Sequence, residues 1–204
     1  MKIIGITGPS GAGKTTLTDL LSKNYNSYTI YADQVARKLT ENKDAEYFKK
    51  ILDLFGNDVL LEDGSLNRKK VASIIYKSKE KRNKLNKLTF YYVVKEIIEE
   101  IERNKSKKFD YIGIDVPLLY EAKMEKLCDY VIAVIAEDEE KILRICKRDN
   151  ITPETAKQRL EIQNNNEFFI KNSDFIIYNN GSLEKLENSL KEIIEKIWKN
   201  GFQE

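Results

Sequence analysis

Apolar residues fall along this chain in two alternating rhythms. Five short stretches are apolar almost throughout: "KIIGIT" (2–7), "YTIYAD" (28–33), "YIGIDVPLL" (111–119), "YVIAVIA" (130–136) and "DFIIYN" (174–179). Runs of this length with no polar face predict strands buried on both sides. Between them the apolar positions recur at helical spacing. Leu17, Leu20 and Leu21 share one face of a helix over 13–23. "DAEYFKKILDLFG" predicts a helix stopped at Gly56, and "LEDGSL" (61–66) a turn. From Asn67 to Lys105 every pattern is helical, through Val71, Ile74 and Ile75, then Leu85 and Leu88, then Val93, Ile97 and Ile101. "EDEEKILRICKRD" and "TPETAKQRLEIQ" predict two more helices, the second with Thr152 as N-cap and Pro153 at its first position. Ser182 caps a last helix that turns Leu186, Leu190, Ile193 and Ile197 inward.

Strands apolar on both faces need helices on both sides, so the pattern predicts a three-layer α/β fold around a five-stranded parallel sheet. The expected organisation is one domain over 1–204. A helical insertion at 57–108 lies between the second and third strands, and a smaller helical subregion at 137–166 follows the fourth.

The punctuation after the first strand carries chemistry. Gly8-Pro9-Ser10-Gly11-Ala12-Gly13-Lys14-Thr15 fits G-x-x-x-x-G-K-[ST] at every fixed position, with a strand before it and a helix after it. Glycines let the backbone curl so that its N–H groups face one concavity, and the helix N-terminus adds positive potential. Such a nest holds a polyphosphate. Lys14 would reach the β- and γ-phosphates, and the Thr15 hydroxyl would hold Mg²⁺. The rival fingerprint G-x-G-x-x-G fails, because Thr16 stands where its third glycine belongs.

Other charged residues extend the site. Asp33 closes the second strand, where a carboxylate could accept the proton of an attacking hydroxyl or cap the helix that follows. Asp115 lies within the apolar "IGIDVPLL", where a carboxylate is costly unless compensated; Mg²⁺ or its water would do so, as would backbone donors. Arg144 and Arg148 stand four apart on one helix face. They could meet the charge of a transferring phosphoryl group or form helical ion pairs. The run "KSKEKRNKLNK" (77–87) reads as a solvated helix start.

Composition acts mainly by exclusion. The 35 basic residues nearly balance 33 acidic ones, and a net charge of +2 gives no reason to expect nucleic acid or membrane as a partner. Histidine is absent, which removes Ser-His-Asp and Cys-His catalysis and histidine metal sites. Cys128 and Cys146 form no C-x-x-C pair and read as reduced core residues. "MKIIGITG" lacks the apolar length of a secretory signal, so the expected setting is cytoplasmic. A GTPase would carry N-K-x-D, whereas Asn83-Lys84-Leu85-Asn86 and Asn86-Lys87-Leu88-Thr89 both lack the aspartate. The residues alone thus describe a P-loop phosphotransferase for a small molecule. Nucleotide or shikimate-like acceptors remain open, and so does a non-catalytic ATP-binding module.

The order of "IIGITGPSGAGKTT", "YADQVAR", "FGNDVLLEDGSLNRKKVASIIY", "DVPLLYE", "ILRICKRDNITPETAKQRLEIQ" and "SDFIIYNNGSLEKL" resembles the dephospho-CoA kinase family from about Lys2 to Leu186. The resemblance implies phosphorylation of the ribose 3′-hydroxyl of dephospho-CoA by ATP with Mg²⁺, the last step of coenzyme A synthesis. It implies a small-molecule enzyme, monomeric or weakly self-associating. By residue, it implies that Gly8, Ser10, Gly11, Ala12, Gly13, Lys14, Thr15 and Thr16 bind ATP, and that Asp33 is the base. Arg68, Pro117, Leu118, Leu119 and Glu121 would meet the acceptor, Arg144 and Arg148 would belong to a lid, and Asn179 and Gly181 would lie near the adenine. The chain departs from the family pattern "L..L.HP" in "LNKLTFYYV", with Phe90 and Tyr91 at the His-Pro positions, and Tyr31 replaces the first aspartate of "DAD".

Overall fold

A computed structural model describes residues 1–200, with the side chain of Asn200 outside the description. The chain divides into two compact units, one formed by Met1–Ile30 with Lys107–Glu204 and the other by Tyr31–Ser106.

The first unit contains the sheet. Its strands are β1 (Lys2–Thr7), β2 (Ser27–Tyr31, whose last residue falls in the second unit), β3 (Tyr111–Asp115), β4 (Tyr130–Ile135) and β5 (Phe175–Tyr178). They lie in the order β2-β3-β1-β4-β5. β1 pairs in parallel with β3 and β4, and β4 with β5. The chain passes from β1 to one side of the sheet and later crosses to the other. The carboxyl end of β1 is therefore a topological switch point, the place where open α/β sheets bind ligands.

All five β3 residues are buried, as are five of the six in β4, which explains why these strands show no polar face. On one side Leu17, Leu20 and Leu21 of α1 (Lys14–Asn24) pack with Ile4, Ile6, Ile132 and Val134, and with Leu186, Leu190, Ile193 and Ile197 of the last helix, Leu183–Asn200. Ser182 caps that helix by accepting the Lys185 N–H at 3.3 Å. Ala133 and Ile135 of β4 instead meet Phe169, on a short helix over Asn166–Asn172 that the periodicity does not predict. Seven residues are too few for a helical repeat to register; Asn165 starts the helix by accepting the Phe168 N–H at 3.0 Å.

The second unit is helical: α2 (Ala32–Leu39), α3 (Glu46–Phe55), α4 (Arg68–Lys77) and α5 (Lys79–Lys105). The long α5 packs against the other three and buries Val93, Ile97 and Ile101. The helical stretch from 67 to 105 breaks at Ser78, whose side chain accepts the Lys81 N–H at 3.2 Å and so starts α5. The unit extends beyond the expected 57–108 because α2 and α3 also pack on α5. "LEDGSL" forms the expected turn, with Gly64 at φ 75° and an antiparallel bridge between Leu60 and Leu66.

Candidate active site

Backbone geometry accounts for the glycines after β1. Gly8 has φ 139°, and a Cβ there would overlap the Val134 carbonyl oxygen of β4. Gly13 has φ 103°, immediately before α1, and a Cβ there would collide with the Asn179 carboxamide. Only glycine takes both conformations without strain.

Lys14 opens α1 and is buried, its Nζ donating to the Pro9 carbonyl at 3.0 Å. The ammonium is thus held over the loop, and an ammonium has three protons to donate. Thr15 Oγ1 donates to Asp115 Oδ2 at 2.9 Å. Sheet register makes this meeting possible, because Asp115 stands opposite Ile6, near the end of β1. Asp115 is only 6% exposed, so the strand that reads as a hydrophobic run ends in a buried carboxylate aimed at the start of α1.

The far side of the loop is fixed from β5. Asn179 continues the ladder by donating its N–H to the Ile135 carbonyl at 2.8 Å, and its Nδ2 donates to the Ala12 carbonyl at 2.8 Å. Arg144, on α6 (Asp138–Asp149), spans the same region. Its guanidinium donates to the Gly11 and Ala12 carbonyls at 3.4 and 3.5 Å, to the Asn179 carbonyl at 2.9 Å and to Glu140 at 3.3 Å.

Arg148 is arranged differently. Its Nε and Nη2 donate to the two oxygens of Asp149 at 2.8 and 2.9 Å, and Nη2 also reaches Ser10 Oγ at 3.4 Å. Asp149 accepts a third bond, from Arg159 Nη1 at 2.5 Å, on α7 (Pro153–Glu161). The hydrogen bond from Arg148, reinforced by the charges of both arginines, holds the Asp149 carboxyl below its usual range against some desolvation. The Ser10 N–H donates to Gln163 Oε1 at 2.8 Å.

Among the expected acceptor residues of the first unit, Pro117 and Leu118 are half-buried just beyond β3, and Glu121 is exposed and accepts from Asn164 at 2.9 Å. Leu119 differs from its expected role: it is fully buried against Gly5 of β1, so it belongs to the core rather than to a binding face. Thr16 and Gly181 are exposed.

A family model described as "CoaE: Dephospho-CoA kinase" matches residues 2–185. The chain belongs to the dephospho-CoA kinase family. It is 37% identical over 199 residues to the dephospho-CoA kinase of Listeria monocytogenes, covering 98% of each chain. Among solved structures it is similar to a Thermus thermophilus protein (TT1252), with a TM-score of 0.78 and 28% identity over 96% of this chain and 97% of that one. It is also similar to a dephospho-CoA kinase from Campylobacter jejuni, with a TM-score of 0.67 and 27% identity over 98% of both. Family membership makes the chain an ATP-dependent kinase of dephospho-CoA, acting at the last step of coenzyme A synthesis.

As a dephospho-CoA kinase the chain places its remaining expected residues in the helical unit. β2 stops at Tyr31, so Asp33 does not close the strand but is the second residue of α2, exposed in its first turn. Tyr31 occupies the N-cap position and makes no side-chain cap, so Asp33 is not the capping residue either. Arg68 opens α4, and its guanidinium donates to the Arg37 carbonyl at 3.1 Å and to Thr40 Oγ1, at the carboxyl end of α2. Phe90 is half-buried, and Tyr91, at the family proline position, is exposed beside Tyr92 with ring centroids 5.0 Å apart. Sequence reasoning gave no role to Asp149 or Gln163. Both lie inside "ILRICKRDNITPETAKQRLEIQ"; Asp149 adjoins Arg148 in the chain, whereas only folding brings Arg159 to Asp149 and Gln163 to Ser10, 10 and 153 positions apart.

Proposed function

We propose that this dephospho-CoA kinase binds the ATP phosphates in the loop from Gly8 to Thr16, with Lys14 drawing charge from the β/γ bridge, and phosphorylates the acceptor ribose 3′-hydroxyl. The observation that carries the reading is the built phosphate loop at the carboxyl end of β1, with Lys14 arched over it and Thr15 bonded to Asp115 at 2.9 Å. Two oxygen donors so placed fit Mg²⁺, a hard cation that takes one or two protein oxygens and completes its shell with phosphate and water. Thr15, and Asp115 through water, would hold the ion, which supplies charge neutralisation at the phosphates when bound.

The chain's own residues supply the rest. Asn179 and Arg144 brace the loop through the Gly11 and Ala12 carbonyls, so it keeps its shape around the phosphates; Asn179 and Gly181 lie toward the adenine. Arg148 meets the charge that grows on the transferring phosphoryl group. Asp33 orients the 3′-hydroxyl and takes its proton, a role for which an exposed carboxylate just past a strand end is suited. Arg68, from the 57–108 region, and Pro117, Leu118 and Glu121, beyond β3, contribute to acceptor binding, and 137–166 acts as the lid. The reading takes the enzyme as cytoplasmic, in keeping with two free cysteines, and as a monomer or weak homo-oligomer with no nucleic-acid partner. No described helix is long and apolar enough to cross a membrane.

A coupled assay of ATP with dephospho-CoA, run beside a panel of nucleoside monophosphates and shikimate, tests the proposal. Turnover with dephospho-CoA far above the panel supports it. Phosphorylation of another hydroxyl compound while dephospho-CoA is ignored would leave only a P-loop kinase.

A further inference from the structure

We propose that Gln163 is a positioning residue for phosphoryl transfer: its carboxamide pins the end of α7 to the phosphate loop and thereby sets the guanidinium of Arg148. The inference rests on the reading that Arg148 meets the transferring phosphoryl group.

A closed circuit of contacts carries it. Gln163 Oε1 accepts the Ser10 N–H at 2.8 Å, and the Gln163 N–H donates to the Leu160 carbonyl at 3.0 Å, which ties the residue to the last turn of α7. Arg159 in that turn donates to Asp149 at 2.5 Å, and Asp149 grips Arg148 through both of its oxygens at 2.8 and 2.9 Å. Arg148 then returns to Ser10 through its Oγ at 3.4 Å. Ser10 is the point where both branches end.

Arg148 needs such support. Its side chain is 60% exposed, and it lies one residue before the end of α6. A long exposed arginine has much rotamer freedom to lose, and attraction to phosphate alone does not aim it. The chemistry of residue 163 also fits the place. A carboxamide oxygen accepts a loop N–H without bringing net charge beside the phosphates. A carboxylate would accept the same N–H and repel the nucleotide.

The test uses the full-length enzyme with ATP and dephospho-CoA, comparing Gln163→Met, Gln163→Glu, Arg148→Ala and the Met–Ala double variant. Methionine keeps the length and loses the acceptor. The inference expects Gln163→Met to lower kcat about tenfold while the thermal midpoint and ADP affinity stay near wild type, and to change kcat less than about twofold when Arg148 is already alanine. Gln163→Glu should keep more of kcat than the methionine variant and raise the KM for ATP. A full tenfold loss in the Arg148→Ala background overturns the inference alone. So does a Gln163→Met enzyme with wild-type kcat, or one that loses ADP affinity as much as turnover. Wild-type kcat in Arg148→Ala itself overturns the role of Arg148, and the inference with it.

Discussion

Lys14 and Asp33 carry separable parts of the proposed reaction. Lys14 acts on the donor, where charge gathers at the β/γ bridge. Lys14→Ala should therefore cost at least about a hundredfold in kcat/KM, roughly 2.7 kcal/mol of transition-state stabilisation, in steady-state kinetics. A variant within a few-fold of wild type removes Lys14 from the phosphate site. Asp33 acts on the acceptor. Asp33→Asn keeps the size and can still accept a hydrogen bond but is a far poorer base. It should bind ADP as wild type does and lose about two to four powers of ten in phosphoryl transfer. Near wild-type turnover would leave Asp33 only as a favourable charge in the first turn of α2. Phe90 can neither donate a hydrogen bond nor carry charge, so Phe90→His should shift the acceptor KM more than kcat.

At the scale of elements, α6 and α7 are joined through Asp149, which takes arginines from both. Its pKa is depressed below the ordinary 3.8, first by the Arg148 hydrogen bond. A depressed carboxylate stabilises the fold above its unfolded pKa, and that contribution is lost as pH falls through the folded value. The joint is therefore whole across the neutral range and weakens as pH falls below the ordinary carboxylate range. Asp149→Asn should lower the thermal midpoint at pH 7, and its difference from wild type should shrink below about pH 4 as the wild-type carboxylate protonates. A difference that stays constant down to pH 2 assigns the loss to packing. The start of α7 is a separate device: Thr152 accepts the Thr155 N–H at 3.3 Å, with Pro153 in the first turn. Removing the hydroxyl in Thr152→Ala should cost about 1 kcal/mol in denaturant unfolding.

For the whole molecule, the donor loop belongs to the sheet unit and the proposed base to the helical one. Nucleotide binding should then be readable apart from transfer. ADP at a hundred times its Kd should stabilise the unit that binds it by about 2.7 kcal/mol, seen as a raised thermal midpoint. Asp33→Asn should keep that rise in full. Its loss in Asp33→Asn would mean that the carboxylate supports the nucleotide rather than the acceptor.

The phosphate loop was legible because its chemistry is local. Eight consecutive residues build the nest, and each glycine is required by a backbone angle that sequence spacing already implies. The strands were legible because burial on both faces leaves no polar alternation, and the long helices because their apolar stripes repeat over several turns. Asn166–Asn172 escaped notice because its seven residues are too short for a repeat. Asp33 lies two residues beyond the end of β2 rather than closing it, since nothing in "YTIYAD" marks where the chain leaves the ladder for α2. Leu119 reads like any apolar residue after a strand, and only packing shows that it faces Gly5 rather than a ligand. The bonds from Thr15 to Asp115, from Asn179 to Ala12 and from Ser10 to Gln163 join residues 100, 167 and 153 positions apart. The sequence by itself determined the phosphate loop, the alternation of strands and helices and the family. Tertiary structure decided which distant side chains hold that loop, because parallel register and helix packing choose those partners and no local pattern encodes them.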